Sequence, residues 1–128
     1  MLRLLLVEDE DNLRHSMRDM IDWRAMGVDE IALAQGGSSA LTQLQAFVPH
    51  IVLSDINMPD MSGLEMAQHM LAQQPDLRII FFSAYSDATY LQQALRLGSV
   101  DYLLKPLNTE ELAQAIGRAA ESISKIKR

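Results

Sequence analysis

The chain is predicted to fold as an α/β protein, a doubly wound five-stranded parallel sheet flanked by five helices. Three observations support this. Short apolar runs alternate with segments of helical periodicity from end to end, the signature of strands and helices taken in turn. Four of the runs end at chemically active side chains: Glu8 and Asp9, Asp55, Ser83, and Lys105. Open parallel sheets gather their strand ends, and their chemistry, along one edge. The 128 residues suit one compact domain and contain no internal repeat or low-complexity tract.

The first strand is Leu2–Val7, and the helix after it places Leu13, Met17, Met20 and Ile21 on one face, with Glu10 and Asp11 at its positive N-terminal end. Trp23 and Gly27 fall in the exit loop, with Trp23 expected to pack as a lid on that helix. A second strand, near Ile31–Ala34, passes through Gly36-Gly37 into a helix carrying Ala40, Leu41, Leu44 and Val48. The third strand, Ile51–Ser54, delivers Asp55 into the turn Ile56–Gly63, which Pro59 and Gly63 shape. Ser62 and Glu65 form a capping box that starts the third helix. Leu64, Ala67, Met70 and Leu71 face inward on it, and Pro75 ends it. Leu77–Phe82 is the fourth strand. Ser86 or Asp87 caps the fourth helix, whose inward side is Ala88, Leu91, Ala94 and Leu95, and Gly98 stops it. The fifth strand is Val100–Leu104. Asn108 and Glu111 open the last helix, which carries Leu112, Ile116, Ala119, Ala120 and Ile123.

Composition narrows the function. Hydrophobic residues make up 48% and aromatic ones 5%, so the core is aliphatic, and the eight methionines are read as core filling. The absence of cysteine excludes disulfides and thiolate metal sites. A net charge of −6 argues against direct nucleic-acid binding by this segment, because such binding needs a basic face. No apolar run approaches a membrane span and no leader peptide opens the chain, so a soluble cytoplasmic domain without membrane contact is expected. His15, His50 and His69 lack metal-ligand spacing and are read as surface or loop residues.

At the shared edge, three carboxylates repel one another and call for a cation. Magnesium takes oxygen ligands, using one or two carboxylates and a phosphate oxygen. Asp9 and Asp55 can supply the carboxylates and the Asn57 carbonyl a further oxygen. Lys105 can neutralise a second phosphoryl oxygen and the Ser83 hydroxyl can donate to a third, which leaves Asp55 as nucleophile for an acyl phosphate. Taken singly, Glu8-Asp9-Glu10 would be helix caps, Lys105 a solvated charge and Ser83 a turn hydroxyl; the joint pattern favours a site. A phosphatase of the haloacid-dehalogenase type also uses an aspartate nucleophile. It places a second carboxylate two residues later, where this chain has Asn57.

Glu8-Asp9, Asp55 with Met58-Pro59 and Gly63, Ser83-Ala84, and Tyr102 with Lys105-Pro106 resemble, in order and spacing, the receiver domain of bacterial two-component response regulators. The resemblance implies a flavodoxin-like fold of receiver type and a phosphorylation switch rather than an enzyme with an external substrate. It makes Asp55 the phosphoacceptor for a sensor histidine kinase, with Mg2+ held by Asp9 directly, by Glu8 through water, and by Asp55 and Asn57. Ser83 and Lys105 would contact the phosphoryl group, Ser83 and Tyr102 would act as switch residues, and Lys105-Pro106 would be cis, aiming the lysine into the site. Glu8 and Ser83 replace the commoner aspartate and threonine without loss of chemistry. The responsive surface would be the fourth helix, fifth strand and fifth helix, through which activated receivers often form a homodimer.

Met20–Trp23, Ser83–Asp87 and Ala94–Leu107 resemble, more narrowly, receivers that precede AraC-type helix-turn-helix output domains. On this reading residues 1–124 are the receiver, excised from a transcription regulator. Residues 125–128, with Lys125, Lys127 and Arg128, are then the helix end or the start of a linker. Asn57 and Tyr85 would tune the lifetime of the phosphorylated state.

Overall fold

A computed structural model of the protein describes residues 1–84, 88–97 and 100–126. Five strands, β1 (Arg3–Val7), β2 (Glu30–Ala34), β3 (Ile51–Asp55), β4 (Arg78–Ser83) and β5 (Val100–Leu104), alternate with five helices. The helices are α1 (Asp11–Met20), α2 (Gly37–Phe47), α3 (Gly63–Gln73), α4 (Ala88–Arg96) and α5 (Thr109–Ile126). The strands form one parallel sheet in the order β2-β1-β3-β4-β5, the doubly wound sheet expected. Among the described residues no helix is long and apolar enough to cross a membrane.

The alternation of side chains along each strand divides the core in two. Leu5, Val7, Val52, Ile79 and Phe81 point to the layer of α2, α3 and α4, where they meet Leu44, Met66, Met70 and Ala94. Leu4, Leu6, Ile51, Leu53, Ile80 and Phe82 point to the layer of α1 and α5, against Met17, Leu112 and Ile116. Both faces of the central strands are therefore apolar, as a sheet covered by helices on both sides requires.

Strand bounds move by a residue: β1 starts at Arg3 and β4 at Arg78, β3 extends to include Asp55, and β4 includes Ser83. Helix faces differ more. Met20, expected inward, is 83% exposed, while Arg14 is buried. At 100° per residue Arg14 and Met20 lie on opposite flanks of Met17, and α1 is rolled so that the Arg14 flank faces the sheet. Val48 is not a core residue; it is the left-handed C-cap of α2, at φ 51°, and is 46% exposed. Leu91 and Leu95 also face outward, because α4 presents Ala94 to the sheet with Leu97 half-buried beside it. Met66 is fully buried on α3 in addition to the residues expected there. Trp23 is buried and its indole Nε1 donates to the Met17 carbonyl at 3.1 Å, closing the end of α1 as expected.

The caps place the loops. Ser62 Oγ accepts the Glu65 N–H at 3.1 Å, and Asn108 Oδ1 accepts from the amides of Glu110 and Glu111. Gly36, the N-cap of α2, has no side chain to offer. The carboxylate of Asp60, from the β3–α3 loop, accepts the amides of Gly37 at 3.2 Å and Ser38 at 2.8 Å instead. Tyr85, Ser86, Asp87, Gly98, Lys127 and Arg128, and the side chains of Ala88 and Lys125, lie outside the described residues.

Candidate functional site

The pairing register brings the strand ends level: Val7 lies beside Ser54, Asp55 beside Phe82, and Ser83 beside Leu104. The next residues along the edge are Glu8 and Lys105. Lys105 is drawn in by its own amide, which donates to the Ser83 carbonyl at 2.8 Å. Its Nζ stands 3.0 Å from Glu8 Oε1 and 3.0 Å from Asp55 Oδ2, and 5.1 Å from the centroid of the Phe82 ring. The Lys105–Pro106 bond is cis, as expected. One ammonium therefore joins two carboxylates from the ends of different strands.

Glu8 has no accessible surface, Asp55 is 6% exposed, and Asp9 is exposed. One carboxylate oxygen from each of the three lies within 4.8 Å of the others. Burial pushes Glu8 up to about 7, against its hydrogen bond from Lys105, and the nearby charge of Asp55 adds to the rise. Burial alone would push Lys105 down, but its bonds to Asp55 and Glu8 outweigh this and hold the ammonium above its usual value. Three carboxylates against one ammonium leave negative charge in a small space. An all-oxygen donor set with excess negative charge fits a hard divalent cation.

The β3–α3 loop is pinned to the same point. The Asn57 amide donates to Asp55 Oδ1 at 3.1 Å, fixing the carboxylate, and the Gly63 amide donates to the Ile56 carbonyl at 2.7 Å. A Cβ on Gly63 would stand 2.3 Å from the Asp55 carbonyl oxygen, so the start of α3 passes Asp55 closely enough that only glycine fits. Pro59 and Asn57 are exposed, while Met58 beneath them is buried.

The fold thus brings the carboxylates of Glu8, Asp9 and Asp55 together, with Lys105 bonded to Glu8 and Asp55. Ser83 is fully buried at the end of β4, next to Lys105 through the main chain. Tyr102 is half-buried on β5, paired with Phe81 and packed on the layer of α2 to α4. Two contributors escaped the sequence reading. Asp60 ties the loop to α2. Arg14 reaches behind the site, its Nη1 donating to the Glu8 carbonyl at 2.8 Å.

Comparison with known proteins decides what this edge belongs to. The family model for the response regulator receiver domain matches residues 4–117. The chain belongs to the response regulator receiver domain family. A two component transcriptional regulator AraC from Clostridium phytofermentans superposes with a TM-score of 0.89 at 32% identity, covering 98% of this chain and 97% of that one. The receiver domain of AraT from Geobacillus stearothermophilus superposes at 0.87 with 28% identity, covering 99% and 98%. By sequence the chain is 33% identical to the transcriptional regulatory protein YesN of Bacillus subtilis over its whole length, which is 34% of YesN. It is also 33% identical to the regulatory protein AtoC of Escherichia coli, across 93% of this chain and 25% of AtoC. This receiver domain therefore spans about a third or less of those two regulators, and its kind is that of a signalling domain.

Proposed function

We propose that Asp55 is the phosphoacceptor of this receiver domain and that Glu8, Asp9, Ser83 and Lys105 serve its phosphorylation. The observation that carries this reading is the pair of 3.0 Å bonds from Lys105 Nζ to Asp55 and Glu8, beside the third carboxylate of Asp9. A carboxylate oxygen of Asp55 attacks the phosphorus of the donor; the acyl phosphate forms as the bond to the donor's leaving group breaks. Catalysis of such a transfer consists mainly of positioning and of neutralising the oxygens of the moving group. Lys105 would follow the charge from the carboxylate to the phosphoryl group, and the Ser83 hydroxyl would donate to another oxygen. Mg2+, held by Glu8, Asp9, Asp55 and the Asn57 carbonyl, would supply further neutralisation when bound. The domain acts on itself and turns over no external substrate.

Its partner would be a sensor histidine kinase in the cytoplasm. An apolar groove of about 510 Å³, lined by Leu13, Met17, Met20, Ile21, Pro106 and Leu107, opens beside Lys105 and has room for the apolar stripe of a kinase helix. The switch would run through Ser83 and Tyr102 to the face formed by α4, β5 and α5. Exposed Leu91, Leu95 and Leu104 belong to that face and would form a homodimer contact on activation. Residues 1–124 would form the receiver, with 125–128 leading toward a DNA-binding output domain like those of the transcriptional relatives.

The test is intact-protein mass after incubation with acetyl phosphate and MgCl2, with Asp55→Asn in parallel. One added phosphate in the wild type and none in the variant is expected. Equal phosphate uptake by Asp55→Asn would remove Asp55 from its role.

A further inference from the structure

The inward face of α1 carries a guanidinium where the helix pattern would accept an aliphatic side chain. Arg14 and Met17 are the buried residues of this helix, and Arg14 is 7% exposed. Its partners are both local. Nη1 donates to the main-chain carbonyl of Glu8 at 2.8 Å, and Nη2 meets the carboxylate of Asp11, itself exposed, at 2.5 Å. Burying a cation is costly, and a buried ion pair is often no more stabilising than apolar side chains of the same size. Stability alone is therefore a weak reason for an arginine here.

The Glu8 carbonyl is where the chain leaves β1 and turns into α1. The N-cap of α1, Glu10, makes no side-chain capping bond, so the loop from Glu8 to Asp11 has no cap of its own to hold it. Glu8 Oε2 accepts the Asp9 amide at 2.9 Å, which links the two acidic side chains through one short stretch of backbone. The fork of Arg14 spans that stretch, with one prong at Glu8 and the other at Asp11.

We propose that Arg14 is a positioning residue for the cation site: it fixes the Glu8–Asp11 loop so that the carboxylates of Glu8 and Asp9 are preset toward Asp55. The inference rests on the reading of Glu8, Asp9 and Asp55 as a divalent-cation site. Groups that orient metal ligands from behind commonly change affinity by 10- to 100-fold when removed. Arg14 touches neither the ion nor the phosphoryl group.

Calorimetric titration of the whole chain with MgCl2, alongside melting without the metal, tests this. Arg14→Met, similar in volume and apolar, should leave the metal-free melting temperature within a few degrees yet raise the Kd for Mg2+ roughly tenfold. Arg14→Lys keeps the charge but not the fork, and should weaken binding by a smaller factor. An unchanged Kd in a folded Arg14→Met protein overturns the proposal. If that variant does not fold, an unchanged Kd in Arg14→Lys overturns it instead. Asp9→Asn, run in parallel, separates the two readings. Binding in the wild type that is lost in Asp9→Asn supports the cation site independently of Arg14, whereas no Mg2+ binding by the wild type sinks both.

Discussion

A carboxylate without accessible surface tends to exchange its charge for a proton, and Glu8 lies close to that exchange. Burial pushes it up to about 7 even though Lys105 donates to it. Because this folded-state value lies above the unfolded one, folding takes up a proton between about pH 4.5 and 7. The contribution to stability is full below pH 4.5 and is lost as the pH rises through 7. The metal-free domain should lose on the order of 3 kcal/mol from this group across that window, and Glu8→Gln should flatten the trend. Denaturant melts at pH 5 and 8 measure it. A cation favours the ionised form, so Mg2+ affinity should climb about tenfold between pH 6 and 8; titrations at the two values, with Glu8→Gln as the pH-insensitive control, would reveal a flat profile if Glu8 does not titrate there. All the residues in this conflict could be named from the sequence, since each follows an apolar run. Their burial could not, because it depends on what packs over the strand ends.

Helix and strand identities were legible for the same local reason: period, caps and turn residues act within a few positions. The faces were less so. Arg14 and Met20 flank Met17 symmetrically, and it is the packed structure that buries Arg14 against the Glu8 carbonyl and leaves Met20 exposed. The turn after Asp55 shows the same division. The sequence marks Gly63 as a residue that shapes the turn, but its necessity comes from the Asp55 carbonyl oxygen, 2.3 Å from where a Cβ would stand. Gly63→Ala should destabilise the domain by about 2–3 kcal/mol, since main chain rather than a flexible side chain must yield, and should disturb Asp55; thermal melts and phosphate uptake report both. Asp60 is the cap that α2 lacks in its own sequence. The amides of Ser38 and Gly37 hold its carboxyl below the ordinary range, Ser38 contributing most. Its contribution is therefore present above pH 3.8 and is lost as the pH falls through the depressed folded-state value. Asp60→Ala should cost about 0.5–1 kcal/mol at neutral pH, the low end for a cap because the group is exposed, and less at pH 3. Denaturant titrations at both values would expose a purely local loop role if the cost did not shrink.

At the scale of the molecule, the site is a property of the sheet edge. A ligand that binds only the folded state stabilises it by mass action, and relief of repulsion among Glu8, Asp9 and Asp55 should make Mg2+ such a ligand. Melting temperature should rise in millimolar MgCl2 and stay constant in Asp9→Asn; no rise in the wild type would count against the cation site. A phosphoryl analogue such as beryllofluoride should move the domain toward a dimer by sedimentation, and Leu95→Asp should prevent it, because a charge on that outward face would be buried without a partner.

The apolar runs, their alternation with helical periods and the active side chains at the run ends were enough to specify a doubly wound sheet and to name Asp55, Lys105 and the acidic pair. Those features are local, and the rule that parallel strands share one C-terminal edge carries them into a common site without knowledge of any contact. The 3.0 Å bridges through Lys105, the complete burial of Glu8, the cap that Asp60 lends to α2 and the fork of Arg14 behind the acidic loop belong to the tertiary structure. Each depends on the distance between residues on different elements, and that distance is set by how far every helix rolls as it packs against the sheet.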